Sequence, residues 1–363
     1  MAKKEMLLKN GNEALAEAAI QAGCRFYAGY PITPQNEIPE YMAARMPEVN
    51  GVFIQAESEI ASVNMVYGAS AAGVRAMTSS SSPGMSLKQE AISFLAAAEL
   101  PAVIVNIQRG GPGLGSISAS QADYFQAVKG GGHGDYKCIV YSPFNVQEMW
   151  DLTMRAFDKA DEYRMPVILL ADAIVGQMME PFQPTKYVRP RLPVKDWILN
   201  GCRGRGPRVI RSLFIGPGEL EERNLLLQKK YALIRKKEVM FDAHDIHNAE
   251  LIVVAFGIAA RIALSAVKKL RREGKNVGLF RPVTLFPFPE KQLAKIAGGK
   301  RRFLITEMNA GQMVEDVRLA VNGKSEVLFY GRPGGAVFTP EELYRKINAA
   351  YLRSAGKSRR KAG

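Results

Sequence analysis

Two glutamates, Glu57 and Glu59, stand two residues apart in "IQAESEIASVNMVYGASAAGVRAM". Beyond them Arg75 is the one charge before Lys88. Residues two apart face opposite sides of a strand and lie about 200° apart on a helix. One of the two can therefore enter a pocket beside the apolar run while the other stays out. A carboxylate drawn into apolar surroundings favours its neutral form, so it can hold or share a proton near neutral pH. The other reading is a solvent-facing pair favoured by a helix dipole.

Four loops offer further chemistry. "GYPITPQNE" (29–37) flanks Thr33 with two prolines, whose fixed backbone would hold the hydroxyl and nearby amides in place, or simply build a turn and a helix cap. "TSSSSPG" (78–84) sets hydroxyls ahead of a helix, where they could hold a polar or anionic ligand or cap the helix. "QRGGPGLGSISASQADYFQA" (108–127) has glycines that permit close backbone approach, and Arg109, whose fork can grip a carboxylate with two parallel bonds. Its glycines do not follow the dinucleotide-binding pattern. "KGGGHGDY" (129–136) carries His133 on a flexible loop, a candidate lid or a plain turn.

The elements that must position these loops alternate between helical and strand patterns. Helical spacing is found in "GNEALAEAAIQAGC", "ASVNMVYGASAAG", "LKQEAISFLAAAEL" and "NVQEMWDLTMRAFDKADEYR". "RFYAGYPITP", "GVFIQAE", "PAVIVNIQR" and "MPVILLAD" read as strands, and "VRAMTSSSSPGMS" as a strand, a serine loop and a helix start. The rhythm predicts a mostly parallel sheet covered on both faces, with functional loops after the strand C-termini. Residues 181–245 break it with a proline-rich, glycine-rich and basic stretch, expected to be a linker and surface excursion ending in a charged helix. A second, smaller α/β unit is expected at 246–355: strand "AELIVVAFG", a helix, strand "NVGLFRPVTL", helix "PEKQLAKIAGG", strand "RRFLITEMN" and a final amphipathic helix near 340–352.

The 363-residue chain carries a net charge of +14, unevenly spread. Residues 1–180 hold 13 Lys+Arg and 19 Asp+Glu, a balance of −6; residues 181–363 hold 36 and 16, a balance of +20. The basic half lacks aromatic–basic interleaving and any nucleic-acid-binding motif, so it reads as a solvated face that can meet an acidic partner. Residues 356–363 form a basic tail. Cys24, Cys138 and Cys202 form no CxxC pair and predict no iron–sulfur or zinc site here, and His133, His244 and His247 lack metal-binding spacing with acids. No apolar run is long enough to span a membrane or to serve as a signal peptide, which predicts a cytoplasmic protein.

Together these loops resemble the α subunit of 2-oxoacid:ferredoxin oxidoreductases. "GYPITPQNEIPEYMA", "QAESEIASVNMVYGA", "TSSSSPGMSLKQE", "NIQRGGPGLG", "SQADYFQAVKGGGHGDY" and "GQMMEP" carry the likeness in order, and "KDWILNGCRGRGPRVIRSLFIGPGELEERN" is most similar to the 2-oxoisovalerate member. The resemblance implies a thiamine diphosphate pyrimidine-binding domain over residues 1–235 and a transketolase C-terminal-like domain from 246. The family's activating glutamate lies nine residues before a Gly-Ala pair; Gly68-Ala69 then selects Glu59, which would hydrogen-bond the cofactor's aminopyrimidine ring and assist proton removal from the thiazolium. By the same likeness Tyr30, Pro31, Thr33 and Ser82 lie beside the cofactor, and Thr33 and Arg109 meet the 2-oxoacid. Motifs for Mg2+ and diphosphate, and for 4Fe-4S clusters, are missing; in the family they sit on partner chains. A β subunit, a γ subunit and a ferredoxin-like δ subunit are therefore expected, with coenzyme A and ferredoxin as co-substrates. A 2-oxoglutarate enzyme is the alternative within the family, and a non-catalytic scaffold or nucleic-acid-associated protein is the alternative outside it.

Overall fold

A computed structural model describes residues 6–359, with the backbone alone for 354–359. The first five residues and the last four of the expected basic tail at 356–363 lie outside what is described.

The chain begins with β1 (Leu7–Asn10), α1 (Gly11–Gln21), β2 (Phe26–Gly29), α2 (Glu37–Arg45), β3 (Val52–Gln55), α3 (Glu59–Ala71), β4 (Ala76–Ser80) and α4 (Ser82–Ala97). It continues through β5 (Ala102–Gln108), β6 (Ile139–Tyr141), α5 (Val146–Tyr163), β7 (Pro166–Asp172), α6 (Ala173–Gln177), β8 (Met179–Phe182) and α7 (Glu219–Lys237). The remainder comprises β9 (Phe241–His244), β10 (Leu251–Val254), α8 (Gly257–Arg272), β11 (Val277–Pro282), β12 (Thr284–Phe286), α9 (Glu290–Ile296), β13 (Arg302–Glu307), α10 (Met313–Val321), β14 (Glu326–Gly331) and α11 (Pro340–Arg359).

Seven strands form the first sheet, in the order β12-β6-β7-β5-β4-β2-β3. All pairs are parallel except β12 on β6. Its centre is fully buried: every residue of "AVIVNIQ" (β5) and "PVILLAD" (β7) is inaccessible, as expected of β-branched strands covered on both faces. The second sheet runs β14-β13-β10-β11-β9, with β9 antiparallel at its edge. A short antiparallel ribbon joins β1 to β8. The α/β architecture read from the alternation is the one observed. No described helix is long and apolar enough to cross a membrane.

Three local expectations change. The serine loop is absent, because Ser79 and Ser80 complete β4 and Ser82 already begins α4. The strand expected over "NVGLFRPVTL" is broken at Val283; its end, β12, leaves the second sheet and pairs with β6 of the first. The 181–245 stretch ends in β9, which belongs to the second sheet.

The two sheets meet at a polar seam. Gln121 Nε2 donates to the Phe256 carbonyl (2.7 Å), and its Oε1 accepts from the Met308 amide (3.0 Å). Asp172 caps α6 through the Ile174 and Val175 amides, and its other oxygen accepts from the Ile258 amide at 3.1 Å. A side chain at Gly257, where φ is +51°, would fall 2.9 Å from Gln121 Nε2, so glycine is needed for this close approach.

Candidate active site

The C-terminal ends of β3, β2, β4 and β5, adjacent in the sheet, bring the sequence candidates to one edge. This edge is where open parallel sheets carry their ligand sites.

After β3 the chain turns into α3. Ser58 caps that helix, its Oγ accepting from the Ala61 amide at 3.2 Å. The cap fixes which glutamate goes in: Glu59 starts the helix and is 6 % exposed, whereas Glu57 remains outside and exposed, accepting from Ser58 Oγ. The Glu59 carboxylate forms no hydrogen bond among the described residues. It lies against Gly84 at the start of α4, where an added Cβ would fall 2.4 Å from Oε1 and 2.2 Å from Ser80 Oγ.

Behind Glu59 lies a residue whose role its spacing did not reveal. Lys88, on α4, is fully buried. Its ammonium donates to the Glu59 carbonyl (3.2 Å), to Thr78 Oγ1 (3.0 Å) and to Ser62 Oγ. Burial pulls its pKa down to about 7, against a smaller upward pull from the Glu59 charge.

After β2, the "GYPITP" loop is fixed by Gln35, whose Nε2 donates to the Tyr30 carbonyl at 3.3 Å and whose Oε1 accepts from Ser79. Ser79 also bonds the Tyr27 hydroxyl at 2.6 Å. Tyr30 and Pro31 are exposed and Thr33 half-buried. After β5, Arg109 is 7 % exposed and forms no ion pair among the described residues. Its two terminal nitrogens donate to the carbonyls of Thr33 and Leu114, both at 2.9 Å, which joins the first and third loops. Its Nε is buried without a partner. The fork is thus partly engaged by backbone rather than wholly open.

Ser82 uses its hydroxyl within the protein. It donates to Asp123 Oδ2 at 2.6 Å and accepts from the Arg109 amide at 3.0 Å. The hydroxyls of Ser80 and Ser81, and Asn106 Oδ1, are among the buried groups left without partners. Asp123 also accepts from Asn106 Nδ2 at 2.8 Å, and burial raises its pKa. Nothing in its spacing marked Asp123, since its partners come from the start of α4 and from β5. His133 is exposed, edge-on to Phe94, while Gly131 and Gly132 pack tightly on Gln89 of α4. The base of the expected lid is therefore anchored.

A buried carboxylate without hydrogen bonds, a buried cation without an ion pair and two partnerless hydroxyls on one parallel-sheet edge define a cofactor-dependent α/β enzyme site. Residues 17–224 match the family model "Pyruvate flavodoxin/ferredoxin oxidoreductase, thiamine diP-bdg", and residues 249–343 match "Pyruvate:ferredoxin oxidoreductase core domain II". The chain belongs to the 2-oxoacid:ferredoxin oxidoreductase family and is a subunit of a thiamine diphosphate-dependent enzyme of that family. It is 51% identical to ketoisovalerate oxidoreductase subunit VorB of Methanothermobacter marburgensis over 93% of this chain and 96% of that one. It is 39% identical to 2-oxoglutarate synthase subunit KorA of the same organism, over 93% and 97%. Among solved structures it resembles 2-oxoglutarate:ferredoxin oxidoreductase from Magnetococcus marinus with a TM-score of 0.87 and 25% identity, covering 95% of this chain and 65% of that one. The subunit names of its relatives place it in a multi-subunit assembly.

Proposed function

We propose that this chain supplies one half of an active site that oxidatively decarboxylates a branched-chain 2-oxoacid, 2-oxoisovalerate in particular. Carbon dioxide leaves, the acyl group passes to coenzyme A and two electrons pass to ferredoxin. The observation that carries this reading is the pairing, on one sheet edge, of a buried carboxylate free of hydrogen bonds (Glu59) with a buried arginine free of ion pairs (Arg109). The 51% identity to a ketoisovalerate subunit, against 39% to a 2-oxoglutarate subunit, supports the branched-chain substrate.

The residues present fit thiamine diphosphate. Gly84 leaves the space into which the Glu59 carboxylate reaches, and the partnerless hydroxyls of Ser80 and Ser81 are buried donors awaiting an acceptor. When bound, that cofactor supplies an acidic carbon that adds to the 2-oxoacid and an electron sink that lets carbon dioxide go. Glu59, whose carboxylate has no competing partner, would hydrogen-bond the cofactor's aminopyrimidine ring. Tyr30, Pro31 and Thr33 wall the site from the β2 loop, and Arg109 orients the substrate carboxylate with the donors its backbone contacts leave over. Ser82 and Asp123 hold the Arg109 backbone in place.

A β subunit completes the site with Mg2+ and the diphosphate contacts, while γ and ferredoxin-like δ subunits hold the 4Fe-4S clusters. The exposed apolar side chains of Ile60 and Met65 on α3 and Leu87 on α4, the two helices that carry Glu59 and Gly84, support a partner covering these helices. The chain divides functionally into a thiamine diphosphate half (1–235) and a transketolase C-terminal-like half (246–355). The test is a panel of 2-oxoacids on the reconstituted complex, followed by ferredoxin reduction. We expect kcat/KM for 2-oxoisovalerate to exceed that for 2-oxoglutarate by on the order of 100-fold, as expected when an apolar pocket must reject a second carboxylate. A preference for 2-oxoglutarate overturns the substrate, and turnover by the isolated chain overturns the shared site.

A further inference from the structure

Lys88 is a buried charge that the proposed chemistry leaves unused. A lysine is rarely inaccessible to solvent unless paired, and no carboxylate oxygen bonds this one. Its ammonium has three donors and meets three acceptors: the Glu59 carbonyl, Ser62 Oγ and Thr78 Oγ1. The acceptors lie on two elements. Two belong to the first turn of α3, the turn that begins with Glu59, and the third belongs to β4. Lys88 thus ties the turn carrying the carboxylate to the sheet beneath it.

We propose that Lys88 is a positioning residue for Glu59: charged, it pins the first turn of α3 to β4 and sets the place from which the carboxylate acts. The inference rests on the reading of Glu59 given above. Charge state matters because the ammonium donates to all three groups at once, whereas a neutral amine keeps two N–H donors and has a lone pair in place of the third. Loss of the proton therefore weakens the pin by one charge-assisted donor and removes a positive charge from behind the carboxylate. Among the described residues packed on the ammonium, Glu59 is the ionisable group whose charge acts on it; Ser62 and Thr78 are neutral. The amine's proton comes off in the range where enzymes work, which a surface lysine's does not.

The test uses the reconstituted complex with thiamine diphosphate bound and reads exchange of the cofactor's acidic carbon-bound proton with deuterium, by quenched NMR, across pH 5.5–9. This range brackets the Lys88 pKa of about 7. Lys88→Met keeps chain length without the charge. It is expected to slow exchange by roughly tenfold or more, as misplacement of a catalytic group does. It should also erase an inflection near pH 7 that the wild type shows, with cofactor affinity changed less than exchange. Thr78→Val removes one acceptor of the ammonium and should move that inflection to lower pH. This variant keeps the proposal open to refutation if Lys88→Met does not fold. An inflection that persists in Lys88→Met, or stays in place in Thr78→Val, overturns the positioning role. Glu59→Gln serves as the separate control: wild-type exchange in that variant sinks the reading of Glu59 itself, whatever Lys88 does.

Discussion

A methyl group added at Gly84 would fall 2.4 Å from Oε1 of Glu59 and 2.2 Å from Oγ of Ser80. Both atoms belong to the candidate site, so Gly84→Ala should displace the carboxylate while leaving most of the fold intact. We expect ferredoxin reduction by the complex to fall by on the order of 100-fold, at an overpacking cost of about 1–3 kcal/mol in urea unfolding. Glu59→Gln should abolish reduction and Glu57→Gln should change it little, because one side chain is buried and the other exposed. Equal losses in steady-state assays would refute the assignment. The spacing of the two glutamates showed that one enters and one stays out. The helix cap at Ser58 decides which, and that decision depends on where the helix starts. The serines were less legible. Adjacent hydroxyls differ in role according to where β4 ends and α4 begins, and this junction falls inside the run.

At the scale of elements, the buried strands and amphipathic helices were legible because their patterns persist over many residues, as in β5, β7 and α5. The breaks were not. The strand over "NVGLFRPVTL" looks continuous in sequence, yet it breaks at Val283, two residues after Arg281, which is tied to Glu148 of α5. The guanidinium is 1 % exposed and bonds both oxygens of Glu148, at 2.7 and 2.6 Å, and also Asp242. Arg281→Ala would leave Glu148 without its main partner. We expect a loss of about 3 kcal/mol in denaturant unfolding, near the low end for a broken buried pair because both acids reach solvent.

For the whole molecule, the seam between the sheets carries a pH signature. Burial raises the Asp172 pKa to about 6 from an ordinary 3.8. A carboxyl whose folded pKa is raised favours folding fully below its unfolded value, and that contribution is lost as pH rises through the folded value. The window is thus about pH 4 to 6. The stability of the wild type relative to Asp172→Asn, followed by urea unfolding, should shrink across it by on the order of 3 kcal/mol, and a flat difference would refute the shift. That the first sheet would be covered on both faces was readable from sequence. That the two sheets would be joined through Gln121, Asp172 and Gly257 was not, because these contacts link residues more than 80 positions apart.

The strand β12 gives the molecule an order of completion. It is made after the other six strands of the first sheet have already emerged, yet it forms that sheet's outer edge beside β6. During synthesis the edge of β6 stays open until residue 286 leaves the ribosome. A gene fragment ending near residue 245 would express a sheet with that edge permanently bare, a surface prone to pair with other copies. The two halves can be told apart on a diagram, but they cannot be cut apart at the junction between them without leaving the first one unfinished.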